Sequence, residues 1–260
     1  MPAVRVAVSL KCLQLPLAKA VAKAREMGAN AVDIDARGGL RPADLTPTAV
    51  REVRKLLEDH ELKVSAVEFQ TRRGYGDLEE LDRRVEATKA AMRMARQLGC
   101  DLVVNQVGQV PDDLTSNEGQ TLVEVLRDLG EHSQHAGAWI AAATGSETGA
   151  DLRRLIDALP KGTLFAALDP GALLINSFGA MEAAEALSDT IRHVRATDAV
   201  RDLGRKRGLE VQLGRGAVDW PVLVGLLETQ GYRGYYSVVR EAGDDVRLEI
   251  AQGVRYLASL

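Results

Sequence analysis

The sequence is poor in the features that mark secreted, membrane and nucleic-acid-binding proteins. Cysteine occurs twice in 260 residues, and the wide separation of Cys12 and Cys100 argues against a disulfide framework or a cysteine metal site. No apolar run approaches the roughly 18 residues of a membrane span, and the first residues lack the pattern of a signal peptide. The net charge of −4 argues against a nucleic-acid-binding surface. We therefore expect a cytoplasmic protein without membrane or nucleic-acid partners.

Glycine is missing where an open, nucleotide-binding sheet would need it. The loop after the first apolar run, SLKCLQLP at residues 9–16, contains none. Seven further short apolar runs follow, each typical of a strand buried on both faces. The eight predicted strands are Val4–Leu10, Ala31–Asp35, Lys63–Phe69, Asp101–Val107, Ala138–Ala143, Leu164–Asp169, Ile191–Thr197 and Tyr235–Val239.

Amphipathic segments separate these runs and predict helices. One helix has a core-facing stripe at three- and four-residue steps, formed by Leu78, Leu81, Val85, Thr88, Met92 and Ala95. Thr46 before Pro47 and Asp219 before Trp220 are typical helix N-caps. The other predicted helices are Leu17–Met27, Ala49–His60, Thr121–His135, Ala150–Leu159, Ala180–Leu187 and Asp245–Leu257. Eight alternating strands and helices in about 250 residues predict a single-domain (β/α)8 TIM barrel over residues 1–260.

The carboxyl ends of the predicted strands carry most of the candidate site residues, because the functional groups of such barrels lie there. Glu68 ends the third strand and is a candidate general base, with an ion pair to Arg37, Arg72 or Arg73 as the alternative. Asp169 ends the sixth strand before Pro170 and Gly171, where it could instead cap a local turn. Asn105, His193, Arg195 and Asp198 are candidate ligand contacts on the fourth and seventh strands.

Basic residues cluster in the predicted loops after the third and seventh strands. They are Arg72, Arg73, Arg201, Arg205, Lys206, Arg207 and Arg215. The cluster predicts a site for a phosphate or carboxylate, although a solvated surface is the simpler alternative. The GRG segment at 214–216 could bring backbone N–H groups close to such an anion.

Several segments resemble those of a known family. They are SAVEFQTRRGYG, LDRRVEATKAAMRMARQLG, ATGSETGADL, LDPGALLI, HVRATDAVRD and QLGRGAVDW, in this order. Together they resemble the xylose isomerase-like TIM barrels that include sugar phosphate isomerases and epimerases. The resemblance covers essentially the whole chain. It implies a sugar or sugar phosphate as ligand and leaves a homo-oligomer possible.

The same resemblance implies a metal site that this sequence has largely lost. Family members typically hold Mn²⁺, Mg²⁺, Co²⁺ or Zn²⁺ with four side chains at the ends of the fifth to eighth strands. The corresponding positions here are Ala143, Asp169, Arg195 and Val239. Asp169 is the one conventional ligand among them, and a single carboxylate does not hold a hard cation at useful concentration. We therefore expect no metal cofactor.

Two functions remain open from the sequence. The first is a sugar phosphate isomerase or epimerase derived from divalent-metal enzymes, with Glu68 and Asp169 as catalytic candidates. The alternative is a metal-free binding protein, pseudoenzyme or engineered barrel with a sugar- or anion-binding pocket. In either case the guanidinium of Arg195 could replace the cation as the partner of Asp169, in a bidentate pair.

Overall fold

Parallel β-strands form a closed barrel in the computed structural model, which describes residues 4–201 and 208–260. Its strands are β1 (Val6–Ser9), β2 (Ala31–Asp35), β3 (Lys63–Glu68), β4 (Leu102–Asn105), β5 (Trp139–Ala143), β6 (Leu164–Leu168), β7 (Ile191–Ala196) and β10 (Tyr236–Val238). Around the barrel they pair in the order β1-β10-β7-β6-β5-β4-β3-β2. Every predicted strand is present, and most are shorter than predicted. The predicted (β/α)8 barrel is therefore confirmed.

Helices surround the barrel. They are α1 (Leu10–Leu13), α2 (Leu17–Glu26), α3 (Pro47–Asp59), α4 (Leu81–Gln97), α5 (Asn117–Ala136), α6 (Gly149–Asp157), α7 (Pro170–Ile175), α8 (Ala180–Leu187), α9 (Trp220–Thr229) and α10 (Val246–Ala258). Short 3-10 turns lie at Pro42–Asp44 and Ser188–Thr190. None of these described helices has the length and apolarity needed to cross a lipid bilayer.

Local signals in the sequence explain where several helices begin. The hydroxyl of Thr46 accepts a hydrogen bond from the N–H of Ala49, and the carboxylate of Asp219 accepts one from Val222. Both predicted caps are confirmed. The stripe predicted for α4 is wrong at its first position, because Leu78 precedes the helix and 73% of its surface is exposed.

Two elements near the mouth were not predicted. A short helix, α7, follows β6 where the Asp-Pro-Gly sequence indicated a turn, since Pro170 starts a helix as readily as a turn. An antiparallel pair of β8 (Asp198–Val200) and β9 (Leu209–Val211) lies between β7 and α9. Arg205, Lys206 and Arg207 lie outside the described residues.

Candidate functional site

A buried arginine joins two carboxylates at the carboxyl ends of the barrel strands. Arg195 lies on β7, Glu68 ends β3 and Asp169 follows β6. Arg195 Nε lies 3.0 Å from Oδ2 of Asp169, and another guanidinium nitrogen, Nη1, contacts Oε1 of Glu68. All three side chains are buried. The expected bidentate pair with Asp169 is thus replaced by a bridge between two carboxylates.

The electrostatics of this trio keep the arginine charged. Burial alone lowers the pKa of Arg195, but the adjacent Glu68 and Asp169 carboxylates raise it above its ordinary value. The trio carries one positive and two negative charges away from water. Such an arrangement is stable only when the remaining carboxylate oxygens also find hydrogen-bond donors.

Those donors are present for both carboxylates. Ser9 Oγ donates to Oε2 of Glu68 at 3.1 Å. The Asp169 oxygen that does not face Arg195 accepts from the N–H of Ala172 at 2.9 Å and from the hydroxyl of Thr197. Asp169 is therefore both the cap of α7 and an ion-pair partner, so the two roles weighed from the sequence coexist. All four carboxylate oxygens have partners within the protein.

His193 belongs to a separate buried pair. Its Nε2 atom lies 3.0 Å from Oδ2 of Asp33, whose other oxygen accepts a hydrogen bond from Ser65 at 2.5 Å. Burial would raise the pKa of Asp33, but the charge and hydrogen bond of His193, with the hydrogen bond from Ser65, lower it. His193 is 1% exposed, and the structure places it against Asp33 rather than in the open mouth.

Asp198 organises its own loop instead of facing a ligand. Its Oδ2 atom accepts from the N–H groups of Gly214 and Gly216 at 2.9 and 3.1 Å, and Oδ1 accepts from Ala199 and Val218 at 2.9 and 3.1 Å. A Cβ atom on Gly216 would collide with this carboxylate, so the close approach requires glycine. The N–H groups of Gly214 and Gly216 thus bind an anion of the chain itself, the Asp198 carboxylate.

Asn105 also has a structural contact. It is fully buried at the end of β4 and donates through Nδ2 to the carbonyl oxygen of Phe69 at 2.6 Å. The neighbouring Gln106 points to the mouth instead and donates to Ser146 Oγ at 3.1 Å. Adjacent residues of a strand face opposite sides, so the polar pair at this strand end contributes one side chain to the mouth.

The barrel mouth contains a cavity of about 560 Å³. Polar and charged side chains dominate its lining, which comprises Lys11, Asp35, Arg37, Gly38, Glu68, Gln70, Thr71, Arg72 and Gln106. A second cavity of about 440 Å³ shares Gln106 and continues past Thr144 and Asn176. Lys11 was missed by the sequence reasoning, although its place directly after the first strand was a usable signal.

The structure disperses the predicted basic cluster. Among the four predicted cations that it describes, Arg72 lines the mouth cavity. Arg73 forms exposed ion pairs with Glu79 and with Asp77, the latter at 3.5 Å. Arg201 and Arg215 are exposed on the β8–α9 side of the chain.

The family model described as xylose isomerase-like TIM barrel matches residues 21–260. The chain belongs to this family. Among solved structures, it is similar to a xylose isomerase domain protein from Planctomyces limnophilus, with 22% identity, a TM-score of 0.85, and coverage of 99% of this chain and 96% of that chain. No curated protein sequence matches significantly.

Two further structures share the fold of this xylose isomerase-like barrel. One is a xylose isomerase-like TIM barrel protein from Mycobacterium smegmatis in complex with magnesium, with 17% identity, a TM-score of 0.79 and coverage of 99% and 96%. The other is the 3-keto-D-glucoside 4-epimerase of E. coli, with 17% identity, a TM-score of 0.79 and coverage of 99% and 100%.

The donor set of this xylose isomerase-like barrel does not suit a divalent cation. At the positions that the family resemblance assigns to metal ligands, Ala143 and Val239 offer no side-chain donor, and the guanidinium of Arg195 lies 3.0 Å from Oδ2 of Asp169. Among the described residues, no three His, Cys, Asp or Glu side chains are grouped as a metal would require. Hard cations need several oxygen ligands, which Asp169 alone does not provide.

Glu147, in the loop after β5, is a buried carboxyl group that the sequence reasoning missed. It is 6% exposed, and no donor among the described residues lies within hydrogen-bond distance of its Oε2 atom. Burial raises the pKa of Glu147 to about 7. The same loop contains Thr144 and Ser146, which line the second cavity.

The Glu147→Gln variant is expected to be more stable than the wild type above neutral pH. The native state binds the Glu147 proton more tightly than the unfolded chain, so wild-type stability falls as pH rises from about 4.5 to about 7. The difference between variant and wild type should grow over this interval to about 1–3 kcal/mol. Urea titrations from about pH 4 to pH 8 measure it. The exposed Glu185→Gln is the control, and a pH-independent difference would contradict the prediction.

Proposed function

We propose that this protein binds a small sugar or sugar phosphate at the barrel mouth without a divalent cation. The observation that carries the proposal is the buried bridge of Arg195 between Glu68 and Asp169. A guanidinium group holds two carboxylates in fixed positions, as a metal ion does, but has no open coordination site for a substrate oxygen. A ligand therefore meets side chains of the protein.

The mouth offers groups suited to hydroxyl-rich molecules. Gln70 and Gln106 carry both donors and acceptors, Asp35 accepts hydrogen bonds, and Lys11 and Arg72 supply positive charge for a phosphate. The cavity of about 560 Å³ is within the size range of small-molecule sites. These residues support a monosaccharide or its phosphate as the ligand class.

Binding is a better account of this site than proton transfer. A general base must be free to take a proton from the substrate. Every oxygen of Glu68 and Asp169 already accepts a hydrogen bond from Arg195, Ser9, Thr197 or the Ala172 N–H. These contacts favour the metal-free binding protein over the isomerase.

A metal-independent isomerase or epimerase is the second candidate, favoured by one observation. Glu68 lines the mouth cavity, so a bound sugar could approach its carboxylate. Proton transfer would replace carbon-bound hydrogen of the sugar with deuterium in D2O, and Glu68→Gln would abolish the exchange. Nuclear magnetic resonance of a sugar panel in D2O distinguishes the two candidates: binding without exchange supports the binding protein, and Glu68-dependent exchange supports the enzyme.

The melting temperature of the wild-type protein is expected to be independent of divalent metal. About 1 mM Mn²⁺ or excess EDTA should change it by less than about 1 °C, because only a ligand that binds the native state raises stability. Differential scanning calorimetry and metal analysis of the purified protein provide the measurement. Stoichiometric bound metal, or a rise of several degrees with Mn²⁺, would contradict the metal-free proposal.

A further inference from the structure

A larger cavity adjoins the mouth, and we name it the arginine cleft. It has a volume of about 820 Å³ and lies between the loop after β2, the segment after β3 and the start of α4. Six arginines are in its lining: Arg37, Arg41, Arg72, Arg73, Arg83 and Arg84. A phosphate bound in the mouth would leave most of this volume unfilled. The proposed function therefore does not account for the cleft.

The arginine cleft has apolar as well as charged walls. Its apolar lining residues are Ala36, Pro42, Ala43, Phe69, Ala87 and Ala90. The guanidinium of Arg37 lies 5.9 Å from the centroid of the Phe69 ring. Small side chains beside one aromatic ring leave room for a flat group, and neighbouring guanidinium groups can stack on such a group. The walls are therefore suited to a ligand with both a ring system and negative charge.

Three of the six arginines are neutralised by carboxylates of the same region. Arg41 pairs with Asp44 at 2.8 Å, Arg83 with Glu80 at 3.3 Å, and Arg73 with Glu79. These are exposed pairs, which contribute little to stability. The net positive charge of the cleft therefore comes from the other three arginines.

Arg37, Arg72 and Arg84 supply the net positive charge. Among residues 4–201 and 208–260, no carboxylate lies within 4.0 Å of any of these three guanidinium groups. Arg37 donates to the carbonyl oxygen of Gln70 at 2.6 Å, and Arg84 to that of Gly74 at 3.1 Å. Carbonyl groups position these two arginines without cancelling their charge, so the cleft attracts an anion.

The arginine cleft and the mouth cavity share part of their walls. Arg37, Thr71 and Arg72 line both cavities. A ligand that crosses from one cavity to the other passes the two arginines, and guanidinium groups bind phosphate oxygens in bidentate pairs. The boundary is thus the expected place for a phosphate group, with room for a second ligand portion on each side.

We propose that the arginine cleft binds the tail of a nucleoside diphosphate sugar whose sugar ring lies in the mouth. The diphosphate lies between Arg37 and Arg72, and the base packs on Phe69 and the alanine wall near Arg84. This assignment rests on the proposed function for the sugar portion only. The tail also meets Phe69 and Arg84, which line the cleft and not the mouth cavity, so it can be tested without the sugar.

Calorimetric titrations with UDP and UDP-glucose in EDTA test the proposal. We expect both nucleotides to bind, and UDP-glucose to bind more tightly than UDP or glucose 1-phosphate. Arg72→Met should weaken both nucleotides on the order of tenfold to a hundredfold, the effect of losing charged hydrogen bonds. The control is Glu80→Gln with Arg83→Met, which removes an ion pair from the same wall at constant net charge. It should change affinity less than about threefold.

The possible outcomes separate the cleft from the mouth. Equal affinity for UDP and UDP-glucose, both weakened by Arg72→Met, would support the cleft and contradict the sugar site. Sugar binding without UDP binding would contradict the cleft and leave the proposed function intact. Nucleotide affinity unchanged by Arg72→Met would overturn the cleft, as would glucose 1-phosphate binding as tightly as UDP-glucose. Arg72 is exposed, so its variant should melt within about 1 °C of the wild type.

Discussion

Replacing Arg195 with methionine is expected to lower the free energy of unfolding by about 3–5 kcal/mol. The change leaves Glu68 and Asp169 buried without the positive charge between them, and removing one partner of a buried ion pair typically costs this much. Methionine is about as long as the aliphatic part of arginine. The change in the free energy of unfolding therefore reflects the lost charge more than a newly formed cavity. Urea unfolding at neutral pH, followed by circular dichroism, measures it.

Two controls separate charge from packing in this variant. Arg192→Met, on the same strand, removes an exposed arginine stacked 4.5 Å from the Phe165 ring centroid and should cost less than about 1 kcal/mol. Combining Arg195→Met with Glu68→Gln and Asp169→Asn removes all three charges and should recover much of the loss. A deficit below about 1 kcal/mol would contradict the role assigned to the bridge.

The sequence was sufficient to place Asp169 and Arg195 near each other. The family resemblance assigns both to ligand positions of one metal site, and the strand ends of a barrel meet at one face. That Glu68 is the second partner of Arg195 was not predictable. The two residues are 127 positions apart along the chain, and the sequence offered Arg37, Arg72 and Arg73 as alternative partners of Glu68. Barrel closure brings β3 and β7 to one mouth, but sequence alone does not give side-chain directions across it.

The contacts of the loop after β7 could not be predicted from the sequence for a different reason. A glycine-rich segment with free N–H groups is compatible with an external anion or with an internal carboxylate. Asp198 satisfies the amides of Gly214 and Gly216 at a separation of 16 and 18 residues. The arginine cleft was also beyond sequence reasoning, because its arginines come from three separate segments whose packing decides which charges are neutralised.

Placing metal ligands at the three positions that the family resemblance assigns to them is expected to create a divalent-metal site. The variant combines Ala143→Glu, Arg195→His and Val239→Glu, which together with Asp169 gives four side-chain ligands at the ends of β5, β6, β7 and β10. Without metal it should be less stable than the wild type, because Val239 is buried and a carboxylate there lacks a partner. Saturating Mn²⁺ should restore stability by about 4 kcal/mol at a thousand times the dissociation constant. Calorimetry and metal analysis measure both effects.

The triple variant is best compared with a double variant that keeps Arg195. Ala143→Glu with Val239→Glu supplies three carboxylates, counting Asp169, but leaves the guanidinium of Arg195 3.0 Å from Oδ2 of Asp169. A hard cation must then displace or repel a permanent charge, so this double variant should bind Mn²⁺ at least about a hundredfold more weakly than the triple variant. Equal affinity would show that Arg195 does not exclude the metal. Failure of the triple variant to bind any divalent cation would instead show that the ligand positions are misassigned, since four correctly placed side chains suffice for such a site.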